Sequence, residues 1–449
     1  MTMRGWCSGT AVAATVFFAL TAAASAEPQA TLATADQNAV ETLAIRLLHS
    51  PDVKRQEQVT LAQFDAAEPG ASAAEREIIA NAAHELAYSA ALGAANSDPT
   101  RPKVVWYETS AHTWFGHTVP GSRWGIDNPD NVYRFVTVDG TSKYEITVHP
   151  KQPGPVQYSF LVYDNFDGET GNLKALDIPV AALKDSDIKT AADGSFTVTI
   201  DSDAANGRPN HLQSNARAKI LLIRNTFNDW ASQTPFAVEI HRVGGPAAAQ
   251  PASEQALAQL AASYLKSGTN TLLVMKNSHT QWKEARDNVL SKPFVRGGGW
   301  GFASSGTFKL AADEALVLTL DPSGAKYLSV DLTDPWLVSR EHITANGNLN
   351  NLQAESSKDG TYTYVISARD PGIRNWLDTG GLRQGSILIR WQALPPGTTS
   401  ADHAVRKIAV VKLDQLSAAL PADATRVSPE QRRRDNQARA ASYAHRLNS

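Results

Sequence analysis

Apolar residues along the chain change period twice, and each change marks a boundary. From Gln37, the positions Val40, Leu43, Leu47 and Leu48 fall at helical spacing. A second helix is expected from Ser72, with Glu75 and Glu77 in its first turns. It runs through "EREIIANAAHELAYSAALGAA" until Pro99 and Pro102 stop it. From Val104 to Gly244 the apolar residues alternate in short runs broken by Gly, Pro, Asn and Asp. "KYEITVHP", "QYSFLVYD", "SFTVTID" and "AKILLIRN" read there as strands. "GGPAAAQPASEQ" (244–255) reads as a linker. Helical pattern returns over 254–266 and again around Trp282–Leu290, and strands resume from Thr307 to about Leu394. "SPEQRRRDNQARAASYAHRL" predicts a terminal helix whose "RRR" is a solvated face.

The order helices, strands, linker, helices, strands points to a repeat. "DGSFTVTIDSDAANGRPNHLQSNARAKILLIRN" (193–225) aligns with "DGTYTYVISARDPGIRNWLDTGGLRQGSILIRW" (359–391). Asp193-Gly194 answers Asp359-Gly360, and Phe196-Thr197 answers Tyr362-Thr363. Leu222-Ile223-Arg224 answers Leu388-Ile389-Arg390 at the same offset. Upstream, "YEITVHP" (144–150) resembles "LVLTLDP" (316–322), and "QYSFLVYDN" (157–165) resembles "KYLSVDLTD" (326–334). Asp-Gly suits a turn because Gly tolerates positive φ and Asp bonds the local backbone. The expected fold is therefore mainly β: tandem jelly-roll or β-sandwich units from an internal duplication, with helical segments before each unit and a C-terminal helix. The boundaries read as a signal segment at 1–26, helices at 27–103, a first unit at 104–244, linker and helices at 245–293, a second unit at 294–398, and a tail with its helix at 399–449.

Composition adds compartment and excludes partners. "TAVAATVFFALTAAASA" ending in Ala24-Ser25-Ala26 has the form of a secretory signal cleaved before Glu27, which implies a periplasmic or secreted protein without stable membrane insertion. Cys7, the one cysteine, lies before that apolar run, so a chain starting at Glu27 has no disulfide, thiolate nucleophile or thiolate metal ligand. A formal net charge of -3 gives no electrostatic reason to expect nucleic acid.

The chemistry-bearing residues lie in loops and in one segment of irregular pattern. "WYETSAHTWFGHTVPGSRWGIDNPDNVYRF" (106–135) holds His112, Trp114, His117, Trp124, Asp127, Tyr133 and Arg134. Its shorter counterpart, "FVRGGGWGFASSGTF" (294–308), holds Trp300. The loop before the last strand of each alignment supplies Asn210 and His211 in one copy and Arg369, Asn375 and Trp376 in the other. Arg340 and His342 sit in the excursion "DLTDPWLVSREHITANGNLN". Such a segment equally fits the wall of a small-molecule pocket or tryptophans packed as core. Catalytic templates fail. There is no G-x-S-x-G, Tyr88 stands where "HELAY" would need a second zinc histidine, and "DSDAANG" departs from calcium-loop spacing. No metal or cofactor is expected.

"DGTYTYVISARDPGIRNWLDTGGLRQGSILIRWQALP" is similar to the C-terminal signature of the exported β-proteins grouped as domain of unknown function 1214, through Asn375-Trp376-Leu377 and Arg390. "NPDNVYRF" (128–135) looks like the Asn-Pro-Asp segment of these proteins and their 1254 partner domain. In the first copy Pro209-Asn210-His211 stands where Asn-Trp-Leu is expected. The resemblance implies an exported tandem β-sandwich and carries no reaction with it.

The leading functional expectation is binding, with or without turnover, of a small aromatic or lipophilic compound such as a steroid, terpenoid or lignin-like molecule. His117, Asp127 and His211 are then acid/base candidates. His112, Trp114, Trp124, Tyr133, Arg134, Asn210, Trp300, Arg340, His342, Arg369, Asn375 and Trp376 are ligand-contacting candidates. The alternatives are a carbohydrate-binding or structural module without turnover, and a metal-independent isomerase, lyase or hydrolase.

Overall fold

The computed structural model describes residues 1–2, 31–164, 179–277, 286–297 and 301–447. The expected signal segment beyond Thr2, and Trp300, lie outside the described residues. No helix among the described residues is long and apolar enough to cross a membrane.

Three helices come first: α1 (Ala35–Leu48), α2 (Pro51–Ala67) and α3 (Ala73–Ala95). Thr34, Ser50 and Ser72 cap them, each side chain accepting from a first-turn amide that has no partner within its helix. Ser72 and Glu75 complete the reciprocal capping box. Periodicity alone does not separate α2. Pro51 opens it at the first helical position, where the missing N–H is no loss, so this proline starts a helix instead of breaking one. The fourth helix, α4 (Glu254–Asn277), continues well past Lys266. It crosses α3 closely: a Cβ on Gly268 would lie 3.2 Å from Leu86 Cδ1. The helix expected around Trp282–Leu290 is not borne out at its end, because Val289–Leu290 is a short strand; residues 282–285 lie outside the described residues.

Eleven strands follow α3: β1 (Val105–Tyr107), β2 (His112–Trp114), β3 (His117–Val119), β4 (Asn131–Thr137), β5 (Lys143–His149), β6 (Gln157–Tyr163), β7 (Ala181–Lys184), β8 (Phe196–Asp201), β9 (His211–Gln213), β10 (Ile220–Thr226) and β11 (Ala237–Gly244). Ten follow α4: β12 (Val289–Leu290), β13 (Phe294–Val295), β14 (Phe302–Lys309), β15 (Glu314–Leu320), β16 (Tyr327–Thr333), β17 (Asn348–Asn350), β18 (Tyr362–Ser367), β19 (Trp376–Asp378), β20 (Gln384–Gln392) and β21 (Val405–Lys412).

The strands form two pairs of sheets whose orders correspond. The first unit has β1-β4-β10-β6-β7 and β11-β5-β8-β9. The second has β12-β14-β20-β16-β17 and β19-β18-β15-β21. Each unit contains one parallel pair at the same place, β8 with β9 and β18 with β19. Alternation buries one face of each strand within its own sheet pair. Tyr144, Ile146, Phe160, Val198, Leu221 and Ile223 fill the first interior. Leu316, Leu318, Val330, Ile387, Ile389 and Trp391 fill the second. The second unit also takes β12 and β21, which lie outside 294–398.

Helices α1 to α4 pack on the outer face of the first unit's five-stranded sheet, against Val105, Tyr107, Tyr133, Phe135, Leu161 and Leu222. Trp336 to Val338 and Leu388 of the second unit join the same apolar cluster. Beyond β21 come a short α5 (Leu416–Ala419) and the terminal helix α6 (Pro429–Leu447). The expectation of a solvated "RRR" is corrected. Arg433 and Arg434 are exposed, but Arg432 is 6% exposed and pairs with Asp370 of the second unit. Arg439 and Arg446 of α6 are buried as well.

Candidate functional site at the junction of the two units

An arginine interrupts the apolar alternation of β10 and of β20 at the same position. Leu221, Ile223 and Asn225 point inward in β10, so Arg224 points outward; likewise Ile387, Ile389 and Trp391 point inward in β20 and Arg390 outward. Both arginines stand beside a serine on the next strand, Ser159 and Ser329. In the first unit one cross-strand row reads Tyr107, Tyr133, Arg224, Ser159.

The two outer faces meet. Arg390 donates through Nη2 to the Ile126 carbonyl at 3.0 Å and through Nη1 to Asp331, which also accepts from Ser329 Oγ at 3.1 Å. Both members of that ion pair are buried. Arg224 is half-buried, with its guanidinium carbon 5.6 Å from the centre of the Tyr133 ring. Arg296, just after β13, completes the cluster. Burial, with Arg390 and Arg224 beside it, holds its guanidinium down to about 10. Burial works against the charge of Arg224, but Tyr163, Tyr133, Tyr107 and Glu108 outweigh it and raise its pKa. Burial, with Glu108 near, raises the Tyr133 hydroxyl, against the pull of Arg390, Arg224 and Arg296. Arg224, Arg296 and Arg390 are therefore electrostatic neighbours of one another and of Tyr133, with Glu108 beside Arg224 and Tyr133 and Asp331 paired with Arg390.

This junction also collects buried polar atoms that lack hydrogen-bond partners among the described residues. On the first unit's face they are Asn131 Oδ1, Gln157 Oε1 and Ser159 Oγ; on the second's, Ser305 Oγ, Asp331 Oδ1, Arg390 Nε and Gln392 Oε1. Native interiors rarely leave such groups unpaired, and a cluster of them marks a place for ordered water or a ligand.

One end of the junction is closed by the segment 124–131, which the sequence motif "NPDNVYRF" overlaps. Asp130 accepts from Trp230 Nε1 (2.7 Å), Tyr327 OH (2.9 Å), Asn350 Nδ2 (3.0 Å) and Asn348 Nδ2 (3.1 Å). Helix α6 seals it: Arg446 donates to the Pro129 carbonyl at 2.7 Å, and Arg439 lies 4.4 Å from the Trp230 ring centre. Burial raises the Asp130 carboxyl, and Arg446 and the Tyr327 bond oppose that.

A separate acid–base cluster lies under the β2–β3 hairpin. Glu41 of α1 accepts from Trp114 Nε1 at 2.6 Å and Gln37 Nε2 at 2.7 Å. His112 presents Nε2 at 3.8 Å from Glu41 Oε1, while its Nδ1 bonds the Ser110 carbonyl at 2.9 Å. Trp106 stacks on the imidazole and Trp114 meets it edge-on. Burial pushes Glu41 up to about 7, against the bonds from Gln37 and Trp114, and burial lowers His112. A carboxyl raised from 4.5 to about 7 binds a proton on folding, so its contribution to stability is present near pH 4.5 and is lost as pH rises through 7. Relative to Glu41→Gln, the wild type should lose about 3 kcal/mol between those limits. Urea unfolding of both proteins across that range checks this, and a pH-independent difference contradicts it.

The remaining residues singled out from the sequence fall in several places. Of the three acid/base candidates, His117 lies on β3 near His112, with Nε2 buried and unpartnered among the described residues. Asp127 is buried and accepts from the Ser339 amide at 3.0 Å, tying the two units together. His211 is engaged on both ring nitrogens, with Thr199 Oγ1 at 2.8 Å and the Asp203 carbonyl at 3.0 Å. Asn210 and Asn375 do one task in both units. Asn210 pairs with both backbone groups of Lys189, and Asn375 with both of Glu355. The register aligns Asn210-His211-Leu212 with Asn375-Trp376-Leu377, one residue on from the sequence-based alignment. Trp376 donates to the Ser367 carbonyl at 3.1 Å.

Trp124 is buried in the helical cluster. His342 is buried between Ser110 Oγ and the Arg340 carbonyl, and burial holds its pKa well below the usual range. Arg340 donates to the Thr379 carbonyl and Arg369 to that of Ala312. Tyr133 alone of the candidates belongs to the junction cluster. The sequence alignment pairs Arg224 with Arg390 without marking either as a site residue. The available signal was a cation within an apolar strand, at corresponding positions of the two units. Among the described residues no group of three or more His, Cys, Asp or Glu side chains is arranged to hold a metal ion.

The fold defines a mainly-β protein of two sheet-pair units under a helical cover. Residues 135–227, in the first unit, match the family model described as protein of unknown function DUF1214, the family whose motifs the sequence resembles. A solved structure of an uncharacterised Burkholderia cenocepacia protein is similar over 84% of this chain and 100% of its own, with 24% identity and a TM-score of 0.66, so the two share a fold. A Vibrio parahaemolyticus protein matches over 64% of this chain and 90% of its own at 13% identity and a TM-score of 0.40. No curated protein matches significantly.

Proposed function

We propose that this protein binds a small molecule with an aromatic or lipophilic body and an acidic group, in the junction between its two units. The observation that carries this reading is the electrostatic proximity of Arg224, Arg296 and Arg390 to one another and to Tyr133, beside buried polar atoms that have no hydrogen-bond partner among the described residues. Guanidinium groups favour an acid, and tyrosine faces favour a ring. Arg296 is the ligand-facing cation under test, because Arg390 is engaged by Asp331. Arg296→Met should weaken binding of an aromatic carboxylate by about tenfold or more, the usual worth of a hydrogen bond to a charged group. Calorimetry against a panel of aromatic and terpenoid acids and their neutral amides tests this. A folded protein that binds none of them, or binds acid and amide alike, overturns it.

A second reading, acid–base turnover without a metal, is favoured by the Glu41–His112 pair. Glu41→Gln would abolish such turnover while leaving junction binding intact.

Two further points belong to this reading. The matching strand orders, the repeated arginine–serine pair and the repeated asparagine clamp support an internal duplication of a jelly-roll-type unit. The apolar run ending at Ala26 supports export. N-terminal sequencing of the secreted product should then begin at Glu27.

A further inference from the structure

The two units differ at one end of their interiors. In the second, Trp391, Phe302 and Leu328 fill it with apolar bulk. The registers place Asn225 of the first unit where Trp391 stands in the second, and Arg134 where Ser304 stands. The shared scaffold therefore does not require a cation at this position.

Arg134 is 2% exposed. It donates through Nη1 to the Phe236 carbonyl and through Nη2 to Asn225 Oδ1, both at 2.6 Å, and its Nε has no partner among the described residues. Both acceptors are neutral. Burial holds its pKa down to about 9. A buried guanidinium facing only neutral acceptors is costly, and such groups are normally paired with an anion.

Arg134 also lines a cavity of about 360 Å³ between edge strands β1 and β11, roofed by the chain that leads into α1. Val104, Trp106, Val238 and Ile240 give it apolar walls, and Thr34 and Gln37 add polar groups. Two carboxylates also line it. Glu239 sits 3.9 Å from His241, Asp36 is exposed, and neither forms an ion pair with Arg134.

We propose that this open edge of the first unit is a second binding site, for the carboxylate of a small and largely apolar acid, with Arg134 as its counter-ion. The site is independent of the junction, since Arg134 faces the interior of its sheet pair and Arg224 the opposite side of the same sheet.

Calorimetry with benzoate and with benzamide, its neutral isostere, tests the proposal on the purified protein. Benzoate should bind at least about tenfold more tightly than benzamide, and Arg134→Gln should weaken benzoate by about tenfold or more. Val238→Trp fills the cavity while leaving Arg134 in place, and should abolish binding even if Arg134→Gln fails to fold. These comparisons are made in an Arg296→Met background, which takes benzoate binding at the proposed junction site out of the measurement. The proposal is overturned if wild type gives no benzoate heat up to about 10 mM, if benzoate and benzamide bind alike, or if the folded Arg134→Gln or Val238→Trp variant binds benzoate like wild type.

Discussion

Replacing Arg390 with methionine should lower stability by about 3–5 kcal/mol, the usual cost of removing one member of a buried ion pair. The reason lies in what remains. Asp331 is fully buried, its Oδ2 receives Arg390 and Ser329, and its Oδ1 has no partner among the described residues. Without Arg390, only a serine hydroxyl would hold that charge. The double variant Arg390→Met with Asp331→Leu should recover most of the loss, because it removes both desolvation costs together. Arg224→Met, at the corresponding position of the other unit, should cost less, since that guanidinium is half-buried. Urea midpoints of the four proteins decide the matter. Equal losses for the Arg390 and Arg224 variants would mean that the two positions are energetically alike.

Asp130→Asn should be comparably severe, again about 3–5 kcal/mol. The carboxylate accepts from four donors on three parts of the chain, and an amide can accept at only one of its two terminal atoms. Arg439 and Arg446, the cations that Asp130 faces, would remain buried in α6. The readout beyond melting is local: protease cleavage in 420–428 should rise as α6 undocks. Asp203→Asn, at an exposed pair with Lys143, is the control and should stay within about 0.5 kcal/mol of wild type.

Much of the scaffold was legible because it follows simple periods. "KYEITVHP", "QYSFLVYD", "SFTVTID" and "AKILLIRN" became β5, β6, β8 and β10 within a residue or two, since alternation with β-branched and aromatic residues encodes a half-buried strand. The alignment of 193–225 with 359–391 anticipated the matching strand orders. Local signals failed where tertiary contact decides. Pro51 opens α2, a start that periodicity alone does not mark, and Val289–Leu290 became a strand only because β14 offers an edge. Arg432 belongs to a run that reads as solvated, yet Asp370 draws it inward from 62 residues away. The junction was the hardest part to read. Its residues come from β1, β4, β6, β10, β16 and β20, and only the docking of two units brings them together. The loops dense in His, Asn and Arg drew attention, but Asn210, Asn375 and His211 spend their polar groups on nearby backbone.

The segment 126–131 has a kinetic consequence. Its Ile126 amide donates to Leu337 across the junction and its Ile126 carbonyl receives Arg390, while Asp127, Asn128 and Asp130 all bond residues beyond 326. The Ile126 amide therefore exchanges its hydrogen with solvent when the units part, even while each sheet pair stays intact. Its exchange rate, set against those of Leu222 in β10 and Ile389 in β20, separates undocking from unfolding in one measurement. A ligand held in the junction would slow the first of these rates ahead of the other two.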